Sequence, residues 1–255
     1  MKDMHVHTHF SPDSGESFTA YIAAARQKGV HTICFTDHVD TNPNDIGTGY
    51  YDSGAFFAEF NVAKAAAPDL QLLAGIEFSE PHHWGKELAE YQKLPYDCII
   101  GSVHSSGLEP DLFFSGLVAS GVPAETCYAA YWQAVLETVT AGGFDVLGHI
   151  DIPKRYYREL IFDEELLREI FRRMLSNGIV PEINTSTLRR GLSDTMPGRN
   201  ILRLYAEEGG KFCTIGSDAH TAGELAAGNA QARERLAEFG LREVTFIRRE
   251  LVPAK

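Results

Sequence analysis

The sequence is poor in cysteine and in long apolar runs. Its 255 residues include four cysteines without Cys-x-x-Cys spacing, which argues against a cysteine zinc site. Cys34, Cys98 and Cys213 lie in apolar, strand-like runs, so we expect buried free thiols. No apolar run approaches the roughly 18 residues of a membrane span, and no signal peptide precedes the first predicted strand. We therefore expect a soluble, cytoplasmic protein that has no membrane partner.

Basic residues are also few. The chain has 23 Lys and Arg against 35 Asp and Glu, which gives a formal net charge of −12. Such a charge repels nucleic-acid backbones, so we expect no nucleic-acid partner. Part of the negative charge would suit a site that binds cations. The length and the ordinary globular composition are typical of one α/β barrel.

Strand-like and helix-like segments alternate along the chain, with no obvious repeat. About seven β-rich segments are each followed by a helical one, which is the pattern of parallel βα units in an α/β fold. We expect one domain over residues 1–255. The segment 105–121 is predicted to be a loop or lid that carries Phe113 and Phe114.

The first predicted strand carries histidines at alternate positions, namely His5, His7 and His9. Alternate side chains of a strand share one face. Buried imidazole is costly unless something satisfies it, and neutral histidine is the commonest metal ligand. The strand therefore predicts the first ligands of a polynuclear metal site, although a His-x-His pair alone is a weak signal.

Later predicted strands end in further potential ligands, and these are His38, Glu77, His104, His149, Asp218 and His220. In an α/β barrel the carboxyl ends of the strands meet on one face, where active sites lie. Each residue alone has an ordinary explanation, such as a salt bridge or a core hydrogen bond. Their joint occurrence at successive strand ends indicates a shared centre.

Basic side chains follow two of the later strands, and these are Lys154 and Arg155 after the fifth, and Arg189 and Arg190 after the sixth. Guanidinium groups match phosphate oxygens in a two-pronged fashion, so these residues predict a phosphate site. An exposed arginine is also often a solvated surface group. His9 is a candidate substrate contact, or equally a solvated loop residue.

Together these motifs resemble the PHP (polymerase and histidinol phosphatase) superfamily over nearly the whole chain. The matching motifs are His5-x-His7, Asp13, Thr36-Asp37-His38, Gly75-Ile76-Glu77, Gly101-Ser102-Val103-His104, Gly148-His149 and Gly216-Ser217-Asp218-Ala219-His220. The resemblance implies a distorted (β/α)7, TIM-like barrel. It also implies a trinuclear centre of divalent transition metals, which would be zinc, manganese or iron.

The same resemblance implies how the ligands are grouped around Glu77, which would bridge two metals. Aspartate at position 13, where some members have histidine, is a hard oxygen ligand that favours manganese or iron over zinc. Glu77, His104 and Asp218 would also serve in catalysis. The implied groups are His5, His7, Glu77 and Asp218 for the first metal, Glu77, His104 and His149 for the second, and Asp13, His38 and His220 for the third.

Two cations that share a carboxylate can also share a hydroxide, which is a nucleophile near neutral pH. This chemistry suits phosphoester hydrolysis, although metals also polarise the carbonyls of amides. The segments 5–14 and 184–191 resemble the histidinol-phosphatase branch, which implies hydrolysis of L-histidinol phosphate in histidine biosynthesis. A cationic substrate of this kind would need carboxylates and aromatic rings around it, and the candidates are Asp40, Glu80, Trp84, Phe113 and Tyr156.

Thr187 and the segment 80–84 depart from that branch where a substrate would be recognised. Two alternatives therefore stay open. One is a PHP phosphoesterase that acts on another small monoester or on a nucleotide diester. The other is a non-catalytic PHP-like module that binds metal, which the complete ligand set disfavours.

Overall fold

A computed structural model describes residues 1–108 and 113–253, and its central element is a parallel sheet. Each of the first seven strands pairs in parallel with the next one along the chain. The bounds are β1 Lys2–Val6, β2 Thr32–Val39, β3 Gln71–Ser79, β4 Cys98–Ser102, β5 Val146–Leu147, β6 Val180–Asn184 and β7 Phe212–Gly216.

The first strand also pairs with the segment that follows β7, and this pairing closes the sheet. The backbone N–H of His7 donates to the carbonyl of Ala219 at 2.8 Å, and that of Asp218 donates to His5 at 2.9 Å. The predicted seven-stranded barrel is therefore confirmed. Its seam lies at the carboxyl end of β7, beside the predicted metal ligands.

A hairpin covers the opposite end of the barrel. The strand β8 (Arg242–Ile247) pairs in parallel with the start of β7, and β9 (Glu250–Pro253) folds back antiparallel to β8. Val244 and Phe246 pack inside the barrel with apolar side chains of the other strands, so this end is filled. The start of β7 thus pairs with β8, whereas the segment that follows β7 pairs with β1.

Helices surround the sheet and bury aromatic side chains against it. Phe56, Trp132 and Phe171 are almost fully buried in this layer. Among the described residues, no helix is long and apolar enough to cross a membrane. The helices are α1 Phe18–Lys28, α2 Ser53–Ala66, α3 Gly85–Tyr91, α4 Phe114–Ala119, α5 Ala124–Ala141, α6 Lys154–Tyr157, α7 Glu164–Ser176, α8 Ser186–Arg189, α9 Arg199–Glu207 and α10 Asn229–Glu238.

Two of the longer helices have identifiable caps. Asp163 caps α7 by accepting a hydrogen bond from the backbone of Leu166 at 2.8 Å. Gly29 ends α1 with a φ of 68°, a left-handed conformation that glycine adopts without strain.

Three short helices differ from the expectation. The predicted loop or lid contains α4, whose Phe114 is buried with its ring centroid 5.5 Å from that of Tyr131. Residues 109–112 of that segment lie outside the described residues. The helices α6 and α8 have four residues each, which is too short for a helical repeat to appear in the sequence.

Candidate metal centre

Glu77, near the end of β3, lies at the centre of a buried cluster. Its Oε2 atom lies 3.2 Å from Nε2 of His5 and 3.5 Å from Nε2 of His7. Its Oε1 atom lies 2.8 Å from Nε2 of His149 and 3.3 Å from Nε2 of His104. A carboxylate whose two oxygens face separate sets of nitrogen donors has the arrangement of a bridging ligand.

Two further carboxylates, those of Asp13 and Asp218, lie beside this cluster. The Oδ2 atom of Asp13 lies 3.0 Å from Nε2 of His220 and 3.7 Å from Nε2 of His38. The Oδ1 atom of Asp218 lies 3.5 Å from Nε2 of His7 and 3.6 Å from Nδ1 of His220. The structure therefore brings together all of the predicted metal ligands.

The possible donor atoms form overlapping groups in which every atom lies within 4.8 Å of the others. Three groups correspond to the predicted sites, except that the first lacks Asp218 and the third also contains His7. A fourth contains Asp40, which the sequence suggested only as a substrate contact. The groups are His5, His7 and Glu77; Glu77, His104 and His149; His7, Asp13, His38 and His220; and His38, Asp40 and His104.

Several imidazole nitrogens in the cluster are buried without a hydrogen-bond partner among the described residues. They include Nε2 of His5, Nε2 of His7 and Nδ1 of His38. Buried polar atoms are normally satisfied, so these nitrogens indicate a missing partner. They lie within 3.5 Å of Oε2 of Glu77. Imidazole nitrogens and carboxylate oxygens are ligands for divalent transition cations, which this donor set therefore fits.

The protein groups control one another's protonation. Burial raises the pKa of Glu77, but His5, His38 and His104 outweigh it and lower that pKa well below its ordinary value. Burial and neighbouring histidines lower the pKa of His7 to about 3, so this ring is neutral, as a ligand must be. Burial lowers the pKa of His38, but Glu77 and other carboxylates raise it to about 10. His38 must therefore release a proton before it can bind a cation.

Serine hydroxyls anchor two of the rings. Nδ1 of His7 lies 3.0 Å from Oγ of Ser11, and that hydroxyl donates to Asp37 at 2.9 Å. Nδ1 of His104 lies 3.1 Å from Oγ of Ser79. Such contacts fix the orientation of a ring and leave its other nitrogen free as a ligand. Neither serine was among the predicted site residues, and Ser79 and His104 meet only in the folded chain.

A cavity of about 360 Å³ opens above Glu77. Arg155 and Arg190 line it, whereas Asp40 and Asp45 contribute carboxylates to the same lining. The aromatic side chains of Phe113, Phe114 and Tyr156 complete much of the apolar wall. Asp45 was not among the predicted substrate residues.

The predicted phosphate-binding residues after the fifth strand separate in the structure. Arg155 is largely buried, and its Nη2 atom donates to Oδ2 of Asp218 at 2.9 Å. Lys154 donates to Oδ2 of Asp151 at 2.7 Å and lines a different cavity. The structure thus directs Arg155 toward the metal centre and Lys154 away from it, because successive residues of α6 face different sides.

Arg189 and His9 do not line the cavity and have bonding partners elsewhere. Arg189 donates to the backbone carbonyls of Ser217 at 2.8 Å and Asp218 at 3.1 Å. His9 lies beyond the end of β1, with its Nε2 atom 3.1 Å from Oε2 of Glu59. The backbone of His7 still pairs with Ala219, but that of His9 bonds Glu16, so the alternation that would have directed His9 inward stops before this residue.

Comparison with known proteins supports the geometry. A family model described as the PHP domain matches residues 3–186. A probable histidinol-phosphatase of Clostridium acetobutylicum is 29% identical, over 97% of each chain. A histidinol-phosphatase of Lactococcus lactis is 27% identical, over 95% of this chain and 92% of its own. A crystal structure of histidinol phosphate phosphatase from Lactococcus lactis, complexed with zinc, L-histidinol and phosphate, superposes with a TM-score of 0.88 at 26% identity, covering 98% of each chain. This chain belongs to the PHP domain family.

Proposed function

We propose that this chain is a metal-dependent phosphomonoesterase that hydrolyses L-histidinol phosphate to L-histidinol and phosphate. The observation that carries the proposal is the cluster around Glu77 beneath a cavity lined by Arg155 and Arg190. It occurs in a chain with the fold of a relative whose crystal structure contains zinc, L-histidinol and phosphate.

The cluster would hold three divalent transition cations, with Glu77 between two of them and with the ligand groups set out above. When bound, such cations lower the pKa of water and withdraw charge from phosphoryl oxygens. Zinc is present in the related structure. Asp13 is a hard ligand, so we propose that the site formed with His38 and His220 prefers manganese or iron.

The charges of the cavity suit a substrate that is anionic at one end and cationic at the other. Arg155 and Arg190 would bind the phosphate, because guanidinium groups match its oxygens. Asp40 and Asp45 would bind the cationic alcohol. The volume of about 360 Å³ is within the range of small-molecule sites and suits a small monoester better than a nucleotide diester.

Asp218 is better suited to a ligand than to a general acid. Burial raises its pKa, but the hydrogen bond with His7 and the charge of Arg155 outweigh this and hold the pKa well below its ordinary value. An ionised carboxylate has no proton to give. In the hydrolysis, the water oxygen bonds to phosphorus, the bond from phosphorus to the alcohol oxygen breaks, and the alcohol oxygen takes a proton from water rather than from Asp218.

Steady-state kinetics on a panel of phosphate esters tests the substrate. We expect kcat/KM for L-histidinol phosphate to exceed that of a generic aryl phosphate by at least about a hundredfold, because a site built for specific polar groups rejects analogues that lack them. Asp40→Asn and Asp45→Asn should narrow this ratio. Equal kcat/KM for both esters would reject L-histidinol phosphate as the specific substrate. A preference for a nucleotide diester would instead favour a PHP phosphoesterase that acts on diesters.

Metal analysis of the purified chain tests the centre. We expect close to three ions per chain in the parent and fewer in Glu77→Gln, together with loss of most activity, because the substitution removes the shared ligand. Asp97→Asn is a matched control, since this carboxylate accepts backbone hydrogen bonds from Ala74 and Arg248 outside the cluster. Unchanged metal content and turnover in Glu77→Gln would reject its role, and full zinc occupancy throughout would contradict the preference proposed for Asp13.

A further inference from the structure

Glu182 on β6 is a buried carboxylate that the resemblance does not include among the ligands. Its side chain is 1% exposed, and both oxygens have partners. The Oε1 atom accepts a hydrogen bond from Nδ1 of His5 at 2.7 Å. The Oε2 atom accepts from the backbone N–H of His149 at 3.0 Å and from the amide of Asn184 at 3.2 Å.

The contact with His5 determines which of its ring nitrogens faces the centre. Because Nδ1 donates its proton to Glu182, Nε2 keeps a lone pair, and it lies 3.2 Å from Oε2 of Glu77. That Nε2 atom has no hydrogen-bond partner among the described residues. A carboxylate behind a ligand histidine fixes its tautomer and raises its basicity.

Gly216 on β7 leaves space for this pair. A Cβ atom at position 216 would lie 2.0 Å from Oε1 of Glu182 and 2.5 Å from Cβ of His5. Real Cβ atoms do not approach other atoms so closely, so a side chain at position 216 would displace one partner. The requirement for glycine at this point of β7 is thus an independent sign that the His5–Glu182 contact is built into the barrel.

Glu182 also contacts His149, whose ring faces the other oxygen of Glu77. Its bond to the backbone of His149 holds the segment after β5, from which the ring of His149 reaches Oε1 of Glu77 at 2.8 Å. One carboxylate therefore contacts residues on both sides of Glu77. At His7, by contrast, the carboxylate of Asp37 acts through the hydroxyl of Ser11.

We propose that Glu182 is a positioning residue that sets the orientation of His5 and thereby the affinity of the centre for its cations. The inference rests on the metal centre proposed above. Glu182 does not line the cavity. Its removal should therefore weaken metal binding first and lower turnover only as a consequence.

The experiment measures Zn²⁺ binding to the full chain by competition with a chelator, without substrate. We expect Glu182→Gln to weaken binding about tenfold and Glu182→Ala up to about a hundredfold. The loss should be largest for the ion that contacts His5, because Glu182 bonds the ring of His5 but only the backbone of His149, and it should appear as fewer ions per chain at limiting Zn²⁺. Asp97→Asn is again the control and should bind Zn²⁺ as the parent does, since it removes a buried carboxylate remote from the cluster.

A double-mutant cycle separates positioning from general damage to the fold. If Glu182 acts through His5, Glu182→Gln should cost little further affinity in a His5→Ala background. With saturating Zn²⁺, the kcat of Glu182→Gln should recover while KM stays at the parent value.

Two kinds of result would overturn the inference, and they are distinguishable. If the parent binds Zn²⁺ and both Glu182 variants bind it equally tightly, or if the two losses are additive, this inference alone fails. If the parent binds no divalent cation, the proposed function fails with it. Thermal unfolding of the chelated proteins shows whether each variant folds, and Glu182→Gln keeps the size and an acceptor oxygen of the parent side chain.

Discussion

Arg155 and Asp218 form a largely buried ion pair, with Nη2 of the arginine 2.9 Å from Oδ2 of the aspartate. The other carboxylate oxygen, Oδ1, lies 3.5 Å from Nε2 of His7. One oxygen of Asp218 therefore contacts Arg155, which lines the cavity, and the other lies near His7, another proposed ligand. The pair connects the group that would bind phosphate with a residue that would bind metal.

We expect Arg155→Ala to cost about 2–5 kcal/mol of transition-state stabilisation, measured as a lower kcat/KM. The substitution removes a buried positive charge that contacts Asp218 and would contact the phosphate. Arg155→Lys should recover part of this loss, since lysine supplies charge without the planar fork. Arg173→Ala is the control, because its guanidinium contacts the exposed side chain of Glu169 on α7 and does not line the cavity. Steady-state kinetics with L-histidinol phosphate measures the effect, and parent-like values for Arg155→Ala would exclude a role in the site.

Arg189 and Arg190 should give different defects. Arg190 lines the cavity, so Arg190→Ala should raise KM and weaken inhibition by phosphate while the metal content stays unchanged. Arg189 bonds the carbonyls of Ser217 and Asp218, and Asp218 has a φ of 55°, which strains a residue with a side chain.

Arg189→Ala should therefore reduce metal content, because it releases a strained ligand segment. Kinetics and elemental analysis of the two variants separate these roles. An Arg189→Ala chain that keeps its metals and loses affinity for phosphate would instead support the direct contact predicted from the sequence.

Much of this architecture was predictable because its determinants are local. Alternating segments indicate parallel βα units, and most of the ligands lie where strands end, whereas the seven-stranded barrel and Asp13 were implied by the resemblance to the PHP superfamily. His9 shows the limit of that argument. Alternation predicts an inward side chain only while strand pairing lasts. That pairing extends to His7, which bonds Ala219, but not to His9, which bonds Glu16.

The contacts that orient the site were not predictable, because they join residues distant in sequence. Glu182 lies 177 positions from His5, and nothing near either residue indicates that the two meet. Arg155 and Lys154 illustrate the same limit at short range. Both are basic and adjacent, yet a one-turn helix directs one to Asp218 and the other to Asp151.

Removal of the metals should lower thermal stability. Buried carboxylates and imidazoles would then lose their shared partner, and a ligand present at a hundred times its Kd contributes about 2.7 kcal/mol. For a chain of this size we expect a fall in Tm of about 5–10 °C on chelation, reversed by added Zn²⁺ or Mn²⁺. Calorimetry measures the change, and Glu77→Gln should show a smaller one. A parent Tm that does not respond to chelation would contradict the centre.

His82 should make stability depend on pH independently of the metal centre. It follows β3 and lies outside the cluster, with its Nδ1 atom 2.6 Å from Oγ1 of Thr138 on α5. Burial and the neighbouring His83 lower its pKa to about 4. In the unfolded chain a histidine has a pKa of about 6.5. Below that value the unfolded chain therefore binds more protons than the folded chain.

The contribution of His82 is fully present above pH 6.5 and is lost as the pH falls toward 4, because protons then favour the unfolded chain. Partial exposure limits the loss to about 1–2 kcal/mol. His82→Gln keeps a polar partner for Thr138 but does not titrate, so its free energy of unfolding should decline less than that of the parent over this range. Urea unfolding between pH 8 and pH 4.5 measures the difference, which should appear only below about pH 6.5. Parallel curves for the two proteins would show that His82 accepts a proton as readily in the folded chain as in the unfolded one.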